Sequence, residues 1–83
     1  MEELATYIIK KIIDNPDDLT VESKELEGVF VITFRLNPLD MGKVIGKGGR
    51  TINAIRSLIK IIALKTQKRC NINIEPLSQE IAS

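Results

Sequence analysis

Residues 42–56 read "GKVIGKGGRTINAIR", and the fold turns on how these glycines are spaced. Gly42, Gly46, Gly48 and Gly49 bracket Lys43 and Lys47, with no proline or Asn-Gly pair among them. From Arg50 the apolar residues recur at helical intervals. The pattern predicts a tight, positively charged turn joining two helices.

Spacing separates three phosphate-binding readings of these glycines. A P-loop needs four residues between its first glycine and the Gly-Lys pair, followed by Ser or Thr. Here only Lys43, Val44 and Ile45 separate Gly42 from Gly46, and Gly48 follows Lys47. A dinucleotide fingerprint starting at Gly46 needs glycine where Thr51 stands and a strand directly before it, whereas the preceding segment reads as a helix. What remains is a Gly-x-x-Gly turn, Gly46-Lys47-Gly48-Gly49. Such a turn brings backbone N–H groups beside a helix N-terminus, which attracts anions, and its missing side chains admit a sugar-phosphate backbone. Lys47 and Arg50 add full charges, and Val44 and Ile45 offer an apolar floor against which unstacked bases can lie.

Upstream, Leu4, Ala5, Ile8, Ile9, Ile12 and Ile13 recur at helical spacing over 3–13, and Asp14-Asn15-Pro16 stops that helix. A strand over 19–26 has acidic residues suited to an edge. Glu27-Gly28 is a hairpin turn, and a second strand over 29–36 puts Phe30, Ile32, Phe34 and Leu36 on its core face. Asn37 and Pro38 begin a short helix as N-cap and first helical residue, with Asp40 near its positive end. After the turn a long helix is expected from about Arg50 to Lys68. Ile52, Ile55, Ile59, Ile62 and Ala63 share its core side, while Asn53, Arg56, Lys60 and Gln67 share a wet flank. Cys70, Ile72 and Ile74 alternate with Asn71, Asn73 and Glu75 in a third strand that Pro76 ends.

The expectation is therefore an α+β single domain over 1–83, ordered α-β-β-α-α-β. Its three-stranded mixed sheet pairs strands one and two antiparallel, allows two and three to be parallel, and has three helices on one face. Residues 1–36 hold the first helix and hairpin, 37–76 the helix-turn-helix-strand unit, and 77–83 a polar tail.

Composition narrows the function. With no Trp, one Tyr and two Phe, a multi-aromatic stacking platform is unavailable. One cysteine and no histidine leave no internal disulfide and no zinc ligand set, so neither metal nor cofactor is expected. No apolar run approaches bilayer length, and Met1 is followed by Glu2 and Glu3 instead of a basic, apolar leader, so a cytoplasmic protein without membrane insertion is expected. The net charge of +1 hides a segregation: between Met41 and Ile74 stand Lys43, Lys47, Arg50, Arg56, Lys60, Lys65, Lys68 and Arg69 with no acidic residue.

Val44-Ile45-Gly46-Lys47-Gly48-Gly49-Arg50, set between two helices inside a strand-helix-helix-strand unit, resembles the KH-domain signature. The added N-terminal helix and strand resemble its type II, bacterial arrangement. The small size, the acidic opening helix and "GKVIGKGGRTINAIRSLI" are similar to the bacterial KhpA (YlqC) family. That resemblance implies a single-stranded RNA-binding protein, regarded as an RNA chaperone or post-transcriptional regulator. It also implies pairing with a larger KH-containing partner (KhpB-like) or with itself, and a link to cell-envelope homeostasis, cell-wall biogenesis and cell length. Carried onto this chain, Gly46–Gly49 clamp the RNA backbone, Lys43, Lys47, Arg50 and Arg56 supply charge, Val44 and Ile45 form a groove floor, and Ile52 and Ile55 a helical wall. The second strand, near Val31 and Thr33, is the expected opposite wall. Val44, Ile52 and Ile55 taken singly fit core packing equally well.

Two other classes compete. A protein-interaction or ribosome-assembly module would use the same fold with only slight RNA contact. An enzyme acting on a small-molecule substrate lacks a paired nucleophile and base. On the long helix, Ala54, Ser57, Ile61 and Leu64 fall on average about 150° from the Ile55, Ile59 and Ile62 stripe at 100° per residue, and are the expected dimer or partner face.

Overall fold

A computed structural model describes residues 2–77. The helices are α1 (Glu2–Ile12), α2 (Pro38–Ile45) and α3 (Arg50–Lys65), and the strands β1 (Thr20–Leu26), β2 (Val29–Leu36) and β3 (Arg69–Pro76). Short 3₁₀ turns occupy Pro16–Asp18 and Lys47–Gly49. The α-β-β-α-α-β order and the mixed sheet are as expected; of the 77–83 tail, all but Leu77 lies outside the described residues.

The sheet runs β1-β2-β3, with β1 antiparallel to β2 and β2 parallel to β3. Glu27 and Gly28 both adopt positive φ (51° and 81°) between Leu26 and Val29, the backbone that matches strand twist in a two-residue hairpin. β2 lies in the middle because its β-branched and aromatic residues tolerate burial along the whole strand. Ile32, Phe34 and Leu36 face the helices and, with Ile72 of β3, pack on Ala5, Ile9 and Ile13, on Val44, and on Ile52, Ile55 and Ile59. Phe30 ends that row half-buried, with the Lys68 ammonium 4.9 Å from its ring centre. The other face of the sheet carries Leu26, Val29 and Val31 at its hairpin end and is polar beyond them: Arg35 reaches Glu22 (2.9 Å) on one side and Glu75 (3.3 Å) on the other, spanning all three strands.

Two elements differ from expectation. α3 ends at Lys65, three residues early. Gln67 turns left-handed (φ 59°), its N–H bonds to Leu64 O (3.0 Å), and Lys68 N–H reaches Ala63 O (2.8 Å). That is a Schellman ending built without glycine. Asp40 is more than a charge near a helix start: it is 1% exposed, and its carboxylate accepts the N–H groups of Asp14 (3.1 Å) and Asn15 (3.0 Å) and the Asn15 amide (3.2 Å). Asn37 caps α2 through Leu39 N–H (2.8 Å) and donates to Asp18 (3.1 Å). The start of α2 is thus fastened to the 14–18 connection.

Burial by itself would raise the Asp40 carboxyl, but its N–H donors and nearby Lys43 outweigh that and hold it below its ordinary value. A lowered folded-state value stabilises the fold above the unfolded carboxyl range, and that stabilisation is lost as pH falls through the folded value. Asp40→Asn should therefore lower Tm at pH 7 by roughly 5–10 °C. Below about pH 4 its melting should depend less on pH than the wild type's. Thermal melts followed by circular dichroism from pH 2 to 7 check both, and parallel curves for the two proteins would contradict the assignment.

Candidate nucleic-acid interface

The turn between α2 and α3 is built on backbone that side chains would spoil. Gly46 closes α2 by donating to Gly42 O (2.8 Å) and then adopts φ 77°, ψ 170°, a region nearly reserved for glycine. A Cβ there would lie 2.3 Å from Thr51 Oγ1 and 2.8 Å from Thr51 N, so the end of α2 rests directly on the first turn of α3. Gly48 (φ 64°) and Gly49 (φ 80°) are left-handed, but a Cβ on Gly48 would meet nothing within 4 Å. Gly42 has no such requirement, since it sits within α2 with open space about it.

The expected basic residues divide into two kinds. Lys47 and Arg50 are exposed and have no acidic partner among the described residues. Lys43 is instead paired with Asp14, a hydrogen bond that raises its pKa, with Asp40 adding to the effect. The pair is exposed and ties Lys43 to the 14–18 connection, which sets it apart from Lys47 and Arg50. Arg56 extends across to β3, where Nε and Nη2 both donate to Ile72 O (3.3 and 3.2 Å).

The apolar residues also divide. Val44 is fully buried, and Ile52 and Ile55 are only 6% and 4% exposed, so all three belong to the core beneath the site and offer almost no surface to a base. Of the expected floor and wall, only Ile45 remains half-buried. The open space lies elsewhere, in a cleft of about 590 Å³ between α3 and β3. Asn53, Arg56, Ser57 and Lys60 line one side, and Cys70, Asn71, Ile72 and Asn73 the other. β2 contributes Val31 alone and Thr33 is absent, so the opposite wall is β3, because the parallel pairing places β3 at the sheet edge next to α3. The cleft starts at the turn: Asn53 Nδ2 lies 3.6 Å from where a Cβ of Gly49 would stand.

Sequence reasoning missed Asn71 and Asn73 as lining residues. Asn53, Arg56 and Lys60 were visible as the wet flank of α3. The lining is amide- and cation-rich and contains no aromatic ring. Burial raises the Cys70 thiol, which keeps it neutral and unsuited to nucleophilic chemistry. Among the described residues no cluster of His, Cys, Asp and Glu could hold a metal ion, and no helix is long and apolar enough to cross a membrane.

On the outside of α3, Ala54 is exposed, as are Ile61 (64%) and Leu64 (68%), and Leu58 (45%) joins them. Ser57 is exposed as well and also borders the cleft. Leu64 borders a smaller cavity beside Lys68. All four residues of the expected face are thus exposed, with Leu58 beside them and with Ser57 and Leu64 along the border with the cleft side.

A family model for the KH domain of KhpA/KhpB matches residues 2–74. The chain is similar to the RNA-binding protein KhpA of Caldanaerobacter subterraneus subsp. tengcongensis, with 47% identity over 76 residues covering 89% of this chain and 99% of that protein. Proteins of the same name from Clostridium perfringens (39% over 74 residues, 89% and 99% covered) and Chlamydia pneumoniae (40% over 76 residues, 89% and 95% covered) are also similar.

The two inner glycines should respond differently to a methyl group. Gly46→Ala combines forbidden backbone with the Thr51 clash and should lower Tm by more than about 10 °C or prevent folding. Gly48→Ala pays only left-handed strain, about 1–2 kcal/mol. Melting both variants side by side checks the order, and equal losses would show that Gly46 is not pinned against Thr51.

Proposed function

The chain belongs to the KhpA/KhpB family of KH domains, and from that premise we propose that it binds single-stranded RNA along the α3–β3 cleft. The observation that carries this reading is the join between turn and cleft. Lys47 and Arg50, without an acidic partner among the described residues, stand where the glycine backbone opens, and Asn53 leads from there into a polar cleft. Phosphates meet the turn, and base edges meet Asn53, Asn71 and Asn73, whose amides both donate and accept. A KH turn clamps about four nucleotides, so one site binds weakly and gains from a second.

That need fits the exposed Ala54–Leu58–Ile61 stripe, which a second protomer or a larger KhpB-like KH protein could cover. RNA chaperoning or post-transcriptional control is the physiological form of this proposal, and family resemblance ties it to cell-envelope homeostasis and cell length. The same stripe is the one observation favouring a second reading, an assembly module with slight RNA contact.

Lys47→Asp with Gly48→Asp should abolish RNA binding and leave the circular dichroism spectrum unchanged. Retained affinity in the folded variant would remove the turn from the site. For the wild type, log affinity should fall with log salt at a slope of roughly −1.4 to −2.8 for two to four phosphate contacts, with duplex of equal length bound less well. Salt-independent binding favours the assembly reading. In analytical ultracentrifugation the wild type should move toward dimer with concentration while Ile61→Lys stays monomeric. A patch of so few residues should bury less than the ~1,200 Å² of a standard interface, so the dimer should be weak.

A further inference from the structure

Beyond the cleft, toward the C-terminal end of α3, lies a second cavity of about 190 Å³. It shares Lys60, Cys70 and Asn71 with the first, so the two are successive parts of one groove. Lys68 and Arg69 line this extension and take no part in the larger cleft. They arrive there because α3 stops early: the left-handed Gln67 reverses the chain at once and sets both residues at the head of β3, across from Lys60. Among the described residues Lys60, Lys68 and Arg69 form no ion pair; the Lys68 ammonium lies over Phe30, at a neighbouring cavity that Glu2 also lines. No acidic residue occurs from Met41 to Ile74 to offset them.

We propose that this extension is a second phosphate subsite, so that the track for a single strand has a cationic anchor at each end, Lys47 and Arg50 at the turn and Lys68 and Arg69 at the head of β3. The inference rests on the RNA reading and deepens it: the favoured ligand is a strand longer than the four nucleotides the turn clamps. Length supports it. From Gly49 to Lys60 the helix rises by about 16 Å, and to Lys65 by about 24 Å, so the second cavity begins where a four-nucleotide ligand held at the turn runs out. The sign and continuity of the lining match a polyanion. An acidic partner protein is the other ligand such charges could take.

The test is fluorescence anisotropy with labelled four- and ten-residue oligouridylates on wild type, Lys68→Glu/Arg69→Glu, and the neutral pair Lys68→Gln/Arg69→Gln, each confirmed folded. Repeating the series with Ile61→Lys added keeps a second protomer from supplying the extra contact. Beyond the statistical gain from the ten-mer's additional binding registers, the wild type should bind it roughly tenfold more tightly than the four-mer. Charge reversal should erase that advantage and reduce the ten-mer salt slope by roughly 1.4, about 0.7 for each of two lost contacts, while four-mer affinity stays within about twofold. The neutral pair should fall between. Ten-mer affinity untouched by either pair, as expected if the extension serves an acidic protein, overturns the proposal while four-mer binding through Lys47 preserves the RNA reading. Equal losses for both lengths overturn it too. Failure of the wild type to bind either oligomer overturns the RNA reading and this inference together.

Discussion

The contact between Gly46 and Thr51 is the constraint on which the working part of the molecule depends. Two helices can meet at that angle and distance only if one contributes no Cβ, because a carbon at Gly46 would overlap the Thr51 side chain and backbone. The meeting point fixes where Lys47 and Arg50 project. It would have little effect if α2 were free to swing, and the opposite end of α2 prevents that. Asp40 and Asn37 bind its first turn to residues 14–18, and Lys43 adds a pair to Asp14 near its last turn. α2 thus works as a strut between the first connection of the fold and the site.

The cleft takes its polarity from an edge strand. β3 has one side paired to β2 and, among the described residues, no strand neighbour on the other, a situation that invites further strands to add. Arg56 covers that side by donating twice to Ile72 O, so a single guanidinium both lines the cleft and occupies an edge carbonyl. The alternation of β3 turns Asn71 and Asn73 away from the core while Ile72 is buried, and these amides are what a ligand meets.

Much of this could be read from local pattern. The alternation at Val29–Leu36, the Glu27-Gly28 turn and the Asn37-Pro38 start are short-range signals, and each lies where it was expected. The glycine spacing was enough to place the turn between helices. What escaped depends on contacts across the chain. Gln67 ends α3 in a conformation that glycine usually advertises, and no glycine is there. Asp40 looks like any first-turn acid until residues 14 and 15, respectively 26 and 25 positions away along the chain, arrive beside it. The lateral order of strands is likewise not written in any one of them, so the pattern of β2 points to Val31 but not to the β3 residues that line the cleft beside it. Val44, Ile52 and Ile55 carry the same helical spacing whether they face a groove or a core, and only packing separated the two.

The polar outer face of the sheet, laced by Glu22, Arg35 and Glu75, has a calorimetric consequence. All helices lie on the opposite side, so the domain buries apolar surface in one layer and leaves the second face of its sheet hydrated in the folded state. Hydration of that face changes little on unfolding, and the heat-capacity increment should fall below the usual value of about 12–15 cal/mol/K per residue. A smaller increment means a flatter stability curve, in which the folding free energy varies little between cold and warm conditions and cold denaturation is pushed to lower temperature. A one-sided sheet thus sacrifices peak stability and keeps what it has nearly constant across the temperatures at which a cell lives.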